Sequence, residues 1–165
     1  MHGLYLLLYG FVKNLSFPFF YYLRYLVIRM FARNIKSSFI CDGVVIMFPW
    51  NVDIGRDCTL NQGTLVDGFG GVTIGNGVRI AAYVTINTAD HNFTDPSMRI
   101  MDQGYLCAPV TIQDDVWIGA HTCINKGVTI GKGSVIGSGS VVTRDIPAYS
   151  IAAGVPCRIV RSRKP

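Results

Sequence analysis

Three histidines, His2, His91 and His121, are the side chains of this 165-residue chain whose type suits proton transfer near neutral pH. His91 stands in INTADHNF (residues 86–93), where a run of β-like repeats breaks off, and the repeats resume only at VTIQDDVWIGA (110–120). Imidazole can take a proton from an alcohol at physiological pH and give it back to a leaving group. A histidine at such an interruption is therefore a candidate general base, with Asp90, Asp95 or a backbone carbonyl available to orient it. His2 and His121 have no comparable setting, and His121 is expected to face solvent or a neighbouring subunit. The competing chemistry is nucleophilic attack by a thiol. Cys107 lies inside the interruption and Cys123 close to Trp117, but neither forms a signature with His91. The five cysteines (Cys41, Cys58, Cys107, Cys123 and Cys157) make no CxxC pair, and an odd count without a secretion signal reads as reduced and cytoplasmic. Scattered histidines without ligand spacing give no reason to place a metal.

The residues that must position His91 follow a period of six. Aliphatic side chains recur at Ile54, Leu60 and Val66, at Ile74, Ile80 and Ile86, at Ile112, Ile118 and Ile124, and at Ile130, Ile136 and Val142. An α-helix cannot place every sixth residue on one side, since six steps of about 100° fall well short of a whole number of turns. A β-solenoid can: each hexapeptide is a short strand and a corner, three make one triangular coil, and the sixth-position aliphatics stack inside. Val and Ile suit extended chain, while Gly, Asn and Asp suit corners that need positive φ. The triplets VDI, VTI, VTI and VTI (52–54, 72–74, 110–112 and 128–130) are expected to mark the same corner of successive coils, and Ile40, Ile46 and Val52 an early irregular coil.

The predicted organisation has three parts: an apolar, basic helical segment over 1–37, a solenoid over 38–150 with an excursion loop at 92–109, and a basic tail over 151–165. The 18 glycines argue against a helical bundle, and the absence of glutamate against much helix. Net charge is +5, concentrated at the ends. Lys13, Arg24, Arg29, Arg33 and Lys36 precede the first acid, Asp42, and Arg158, Arg161, Arg163 and Lys164 close the chain. Basic ends on a near-neutral body suit anionic partners, a membrane surface or a phosphorylated cofactor. No zinc motif, base-reading basic helix or RNA-binding aromatic signature is present, so nucleic acid is not an expected partner. The segments LYLLLYGFV and FPFFYYLRYLVIRMFARNIK are each too short or too charged to span a bilayer. They read as two short helices that cap the open end of the solenoid, lie on a membrane surface, or do both.

The stretch VTIQDDVWIGAHTCINKGVTIGKGSVIGSGSVVTRDIPAYSIAAGVPCRIVR closely resembles the hexapeptide-repeat O-acetyltransferases, the group of the galactoside, maltose, nodulation-factor and polysaccharide-modifying acetyltransferases. The resemblance covers about residues 50–162. It implies an all-β solenoid of the left-handed parallel β-helix type, a homotrimer, acetyl-CoA as donor and a hydroxyl as acceptor. It further implies His91 as catalytic base and Asn61 as an acceptor contact across the active site. Trp117 would line the donor channel, Ala120, Ser138 and Thr143 the pantetheine arm, and Arg158 and Arg161 the phosphate end of the cofactor. The first 40 residues do not resemble the acceptor-holding segment of the soluble sugar acetyltransferases, which favours a surface-polysaccharide or lipid-linked acceptor at the cytoplasmic membrane face. A free small sugar as acceptor and a non-catalytic β-helix scaffold are the alternatives.

Overall fold

The computed structural model describes residues 2–164. From Asn34 onward the chain winds into a three-sided parallel β-helix. Face A stacks Asn34–Ile35, Val52–Ile54, Val72–Ile74, Val110–Ile112 and Thr129–Ile130. Face B stacks Ser38–Ile40, Cys58–Leu60, Arg79–Ile80, Trp117–Ile118, Val135–Ile136 and Ser150–Ala153, and Arg158–Ser162 folds back antiparallel on the last of these. Face C stacks Val45–Met47, Leu65–Asp67, Thr85–Ile86, Cys123–Ile124 and Val141–Val142. Backbone groups of each strand thus find partners in the coils above and below.

The inward side chains form three aliphatic columns whose register runs from coil to coil. Ile35, Ile54, Ile74, Ile112 and Ile130 fill the column behind face A. Ile40, Leu60, Ile80, Ile118, Ile136 and Ala152 fill that of face B, and Ile46, Val66, Ile86, Ile124 and Val142 that of face C. All are buried. The period-six pattern is therefore the core itself, and its burial is the main apolar stabilisation of the chain.

Two details differ from the sequence reading. The Val-x-Ile triplets are strands of face A rather than a corner, because residues two apart on a strand share a side and both the Val and the Ile point inward. The first coil closes on Ile35, Ile40 and Ile46; Val52 belongs to the next strand, in register with Val72. The corners between faces B and C use positive φ at Gly43, Gly63, Tyr83, His121 and Gly139. Glycine is required at Gly63, where a Cβ would fall 2.5 Å from the Tyr83 ring.

Two helices, α1 (His2–Val12) and α2 (Pro18–Phe31), close the N-terminal end of the prism. On α1 the buried positions Tyr5, Tyr9 and Val12 fall at helical spacing, and the two phenols donate to the Ile46 and Val44 carbonyls at 2.7 and 2.8 Å. Burial pushes the pKa of both phenols up, so they stay neutral donors. Arg24 of α2 is fully buried and has no carboxylate partner among the described residues. Its guanidinium donates to Val12 and Leu15 carbonyls at 2.9 and 2.6 Å and to Ile40 at 3.2 Å. The cation thereby ties the C-terminal end of α1, where carbonyl partial charge is negative, to the first coil. Pro18 starts α2, where its missing N–H is no loss. The capping reading of this segment is what the structure shows.

Candidate active site

Between faces C and A the third coil opens. Ala89–His91 and Tyr105–Cys107 pair antiparallel as the stem of a hairpin, with His91 directly opposite Tyr105. The root of the stem is fastened to the second coil: the Gly70 N–H donates to Thr88 Oγ1 at 2.7 Å, and that hydroxyl donates to the Asp67 carbonyl at 2.8 Å. A Cβ on Gly70 would lie 2.6 Å from the Thr88 carbonyl, so this approach requires glycine. Strand alternation sends Asp90 and His91 to opposite sides. Asp90 accepts from Asn87 Nδ2 at 3.2 Å and is ion-paired with Lys126 of the next coil, which pins the stem from the other side. Asp95, further out, accepts from both the hydroxyl and the N–H of Ser97, which hold its carboxyl below the ordinary aspartate range. Both carboxylates proposed as orienters of His91 are thus engaged elsewhere. The neighbour of the exposed His91 ring is Tyr105, with ring centroids 4.6 Å apart.

His91 faces a cleft of about 390 Å³ that runs down face C across three coils. Asn87, Ala89, His91 and Tyr105 line the third coil, Leu65, Asp67 and Phe69 the second, and Met47 and Phe48 the first. Polar groups therefore gather around His91 and give way to apolar ones toward the helical cap. Asn87 is partly committed, its amide bonding Ala89 O at 3.0 Å as well as Asp90. Asp67 accepts from the Phe69 N–H at 3.0 Å. A hydroxylated ligand can sit with its oxygen at the imidazole, beside Asn87 and Asp67, against the aromatic faces of Tyr105 and Phe69.

The other sequence-selected residues lie on three parts of the surface. Asn61 is at the corner between faces B and C, where its amide donates to Ile80 O at 2.8 Å and its oxygen takes a weak 3.6 Å contact from the Cys41 thiol. Ala120 and Ser138 occupy the same corner on adjacent coils, each two residues past the paired Ile118 and Ile136, with the Gly139 N–H bonded to Ala120 O at 2.8 Å. Thr143 is exposed at the corner between C and A, in the column that includes Asn87 and Asn125. Trp117 is 54% exposed on face B, in register with Arg79 below and Val135 above. Arg158 and Arg161 project from the exposed antiparallel strand at the far end of face B, their guanidinium groups bonded, among the described residues, to the Cys157 and Ser162 carbonyls alone. One chain therefore groups His91 with Thr143 along one edge of face C, and Asn61 with Ala120 and Ser138 along the other.

Sequence reasoning did not select Asp67, Phe69, Phe48, Asn87, Tyr105 or Lys126. Coil register was the available signal: Met47, Asp67 and Asn87 follow at intervals of twenty, one coil each. The Cys123 thiol fits a nucleophilic role poorly. Burial, with the nearby Asp90 charge, pushes the half-buried Cys123 thiol up and away from the thiolate. His121 is exposed and stacks on Tyr83, ring centroids 5.2 Å apart. Among the described residues no group of three His, Cys, Asp or Glu side chains is placed to hold a metal ion.

Residues 109–144 match the family described as bacterial transferase hexapeptide (six repeats). Over 137 residues the chain is 43% identical to the galactoside O-acetyltransferase of Escherichia coli K12, covering 82% of this chain and 66% of that protein. A hexapeptide-repeat acetyltransferase from Vibrio cholerae O1 biovar eltor, solved with acetyl coenzyme A, superposes with a TM-score of 0.87 at 30% identity, covering 99% of this chain and 87% of that one. A maltose O-acetyltransferase from Clostridium difficile 630 gives 0.90 at 30% identity, with 99% and 87% covered. The chain spans less than two thirds of the length of the curated relatives it matches, 66% of the first and 38% of the second.

Proposed function

This chain belongs to the hexapeptide-repeat acetyltransferases, and from that premise we propose that it moves an acetyl group from acetyl-CoA to a sugar hydroxyl, with His91 as general base. The observation that carries this reading is the placement of His91: an exposed imidazole at the root of the only excursion among the described coils, facing an open cleft with hydroxyl-binding groups. The acceptor O–H gives its proton to the imidazole as the oxygen attacks the thioester carbonyl. The tetrahedral intermediate collapses by breaking the C–S bond, and the imidazolium returns the proton to the departing thiolate. Each proton taken is given back, so no metal or second nucleophile is needed.

The donor positions support a site made by two chains. Thr143 and His91 lie on one edge of face C, and Ala120, Ser138 and Asn61 on the other, so a donor arm touching all of them bridges this edge of one chain and that edge of a neighbour. The B–C edge suits such an arm, since Ala81, Ala82, Ala120, Ser138 and Gly139 carry only small side chains. A closed homotrimer satisfies three such bridges at once. Arg158 and Arg161 would meet the phosphate end, where guanidinium donors suit an anion.

The cap points to where the acceptor is met. Leu4, Leu7, Phe11, Phe17, Phe19 and Met30 are all more than half exposed on α1, on α2 and between them, and Lys13, Arg29, Arg33 and Lys36 are the charges of this segment's surface. No described helix is long and apolar enough to cross a membrane. These features support peripheral contact with an anionic membrane face, with a lipid-linked or surface-polysaccharide precursor as acceptor. An acceptor screen with labelled acetyl-CoA tests the activity, and loss of label transfer in His91→Ala tests the base. Co-sedimentation with anionic liposomes tests the location; a folded, active protein that stays in the supernatant would refute it.

A further inference from the structure

The cleft at His91 does not end at the first coil. A second cavity, about 340 Å³, lies between α1 and the first strand of face C, lined by His2, Tyr5, Leu6, Tyr9, Gly10 and Lys13 against Val45–Met47. The two meet at Met47, which lines both. A chain of aromatic contacts follows the same route. His91 to Tyr105 is 4.6 Å between centroids, Tyr105 to Phe69 5.7 Å, Phe69 to Phe48 5.1 Å, and Phe48 to His2 at the start of α1 5.9 Å. The α1 wall offers little to a polar ligand, because the Tyr5 and Tyr9 hydroxyls are turned onto backbone carbonyls. Between His2 and Lys13, the polar residues at either end of this lining in sequence, the wall consists of Tyr5 and Tyr9, the aliphatic Leu6 and the bare Gly10, whose Cβ position has no atom within 4 Å.

We propose that this passage binds an apolar chain covalently attached to the acceptor, so that the enzyme takes amphiphilic glycosides, hydroxylated head at His91 and alkyl or isoprenyl tail between α1 and face C. The proposal rests on the acetyl-transfer reading for the head group and adds a binding determinant for the tail. The order of side chains along the groove commits to this occupant. Asn87, Asp67 and His91 gather at one end, Met47, Phe48 and Phe69 follow, and Tyr5, Leu6, Tyr9 and Gly10 continue a largely apolar path as far as Lys13. A free sugar would leave the far half of that path wet. Apolar area removed from water supplies the affinity, and α1 between His2 and Gly10 offers about 12 Å of wall. The exposed stripe Leu4, Leu7 and Phe11 lies on another side of α1, so the helix can touch a bilayer and the tail together.

The test uses the full chain and a series of alkyl β-glucosides from methyl to octyl, each below its aggregation concentration. Calorimetry reads binding, and thiol release from acetyl-CoA reads transfer. The octyl glucoside is expected to bind about 30-fold more tightly than the methyl glucoside. Gly10→Phe, which fills the open Cβ position, and Leu6→Asp should each bring that ratio below about threefold. Equal binding of the two glucosides overturns the proposal, as does an octyl advantage that survives both variants, which is the signature of detergent partitioning. Chain-length-dependent binding that both variants abolish, without transfer to any glucoside, upholds the passage and counts against the proposed reaction. Transfer without chain-length dependence does the reverse.

Discussion

Face A and the hairpin beside it are built on opposite rules. On face A, Ile74 stacks directly on Ile112 although the whole excursion lies between them in sequence. The ladder closes beneath the hairpin with the same register it keeps elsewhere, Val72 on Val110 and Thr73 on Thr111. The hairpin carries no fully buried side chain from Ala89 to Cys107, and it is held at its root by a few polar contacts. Stability therefore resides in a repeat that tolerates interruption, and the proposed chemistry in the interruption. If this division is real, core and hairpin substitutions will separate cleanly in thermal stability and turnover.

The largest effect tests the repeat. Ile118 is fully buried between Ile80 and Ile136 in the face B column. Truncation to alanine leaves a cavity that neighbouring coils cannot close without losing register, so Ile118→Ala should cost about 2–5 kcal/mol. Denaturant unfolding reads this as a lower midpoint, with activity per folded molecule nearly kept. Unchanged stability with lost turnover would break the comparison from the core side.

His91→Ala tests the other side. The ring is exposed and rests on Tyr105, so its removal should leave the melting temperature nearly unchanged. Turnover should fall by about 100-fold or more while acetyl-CoA affinity, measured by calorimetry, stays close to the parent value. Near-normal turnover would remove the base from His91.

What the sequence made legible divides along the same line. Each coil repeats one constraint, an aliphatic at every sixth position, so Ile54 to Val142 announce the three columns before any coordinates. The interruption also announces itself, because the pattern stops. The walls of the cleft do not: Phe48, Phe69 and Tyr105 come from three coils and repeat no pattern. Only the register of twenty residues per coil relates Met47 to Asp67 and Asn87, and it applies only once the solenoid is assumed. The triplet Val52–Ile54 reads as a corner from sequence because a period of six does not reveal that the Val two residues before each Ile also points inward. Asp90 adjoins His91 in sequence, yet strand alternation turns it to Lys126. Asn61, Ala120 and Ser138 appear to sequence alone as one site with His91; within one chain they line the opposite edge of face C.

A smaller effect sharpens the role of the stem. Lys126 touches no part of the cleft and acts on His91 only by holding Asp90. Lys126→Met should lower kcat by about tenfold with little change in stability, since a partly exposed ion pair contributes little to folding while a small displacement of a base is felt strongly. Lys126→Arg should restore most of the loss. A stability change larger than the kcat change would make the pair structural and blur the line between scaffold and hairpin.

The smallest effect concerns the far end of face B, which belongs to neither region. Arg158 and Arg161 stand on a strand paired antiparallel to Ser150–Ala153, outside the parallel repeat, with guanidinium groups that among the described residues bond to adjacent carbonyls alone. Such groups can turn to an anion without leaving a buried donor unpaired, so their replacement should not cost stability. A guanidinium recognises phosphate through paired hydrogen bonds and charge, and exposure to water reduces what each contributes. Arg158→Ala with Arg161→Ala should therefore weaken acetyl-CoA by roughly fivefold, read by calorimetry at fixed ionic strength. The same pair should leave dephospho-CoA, which lacks the 3′-phosphate, nearly unaffected. Equal weakening of both ligands would move the contact off that phosphate. The strand would then serve the donor only by closing the end of face B, as the helices close the other end of the prism.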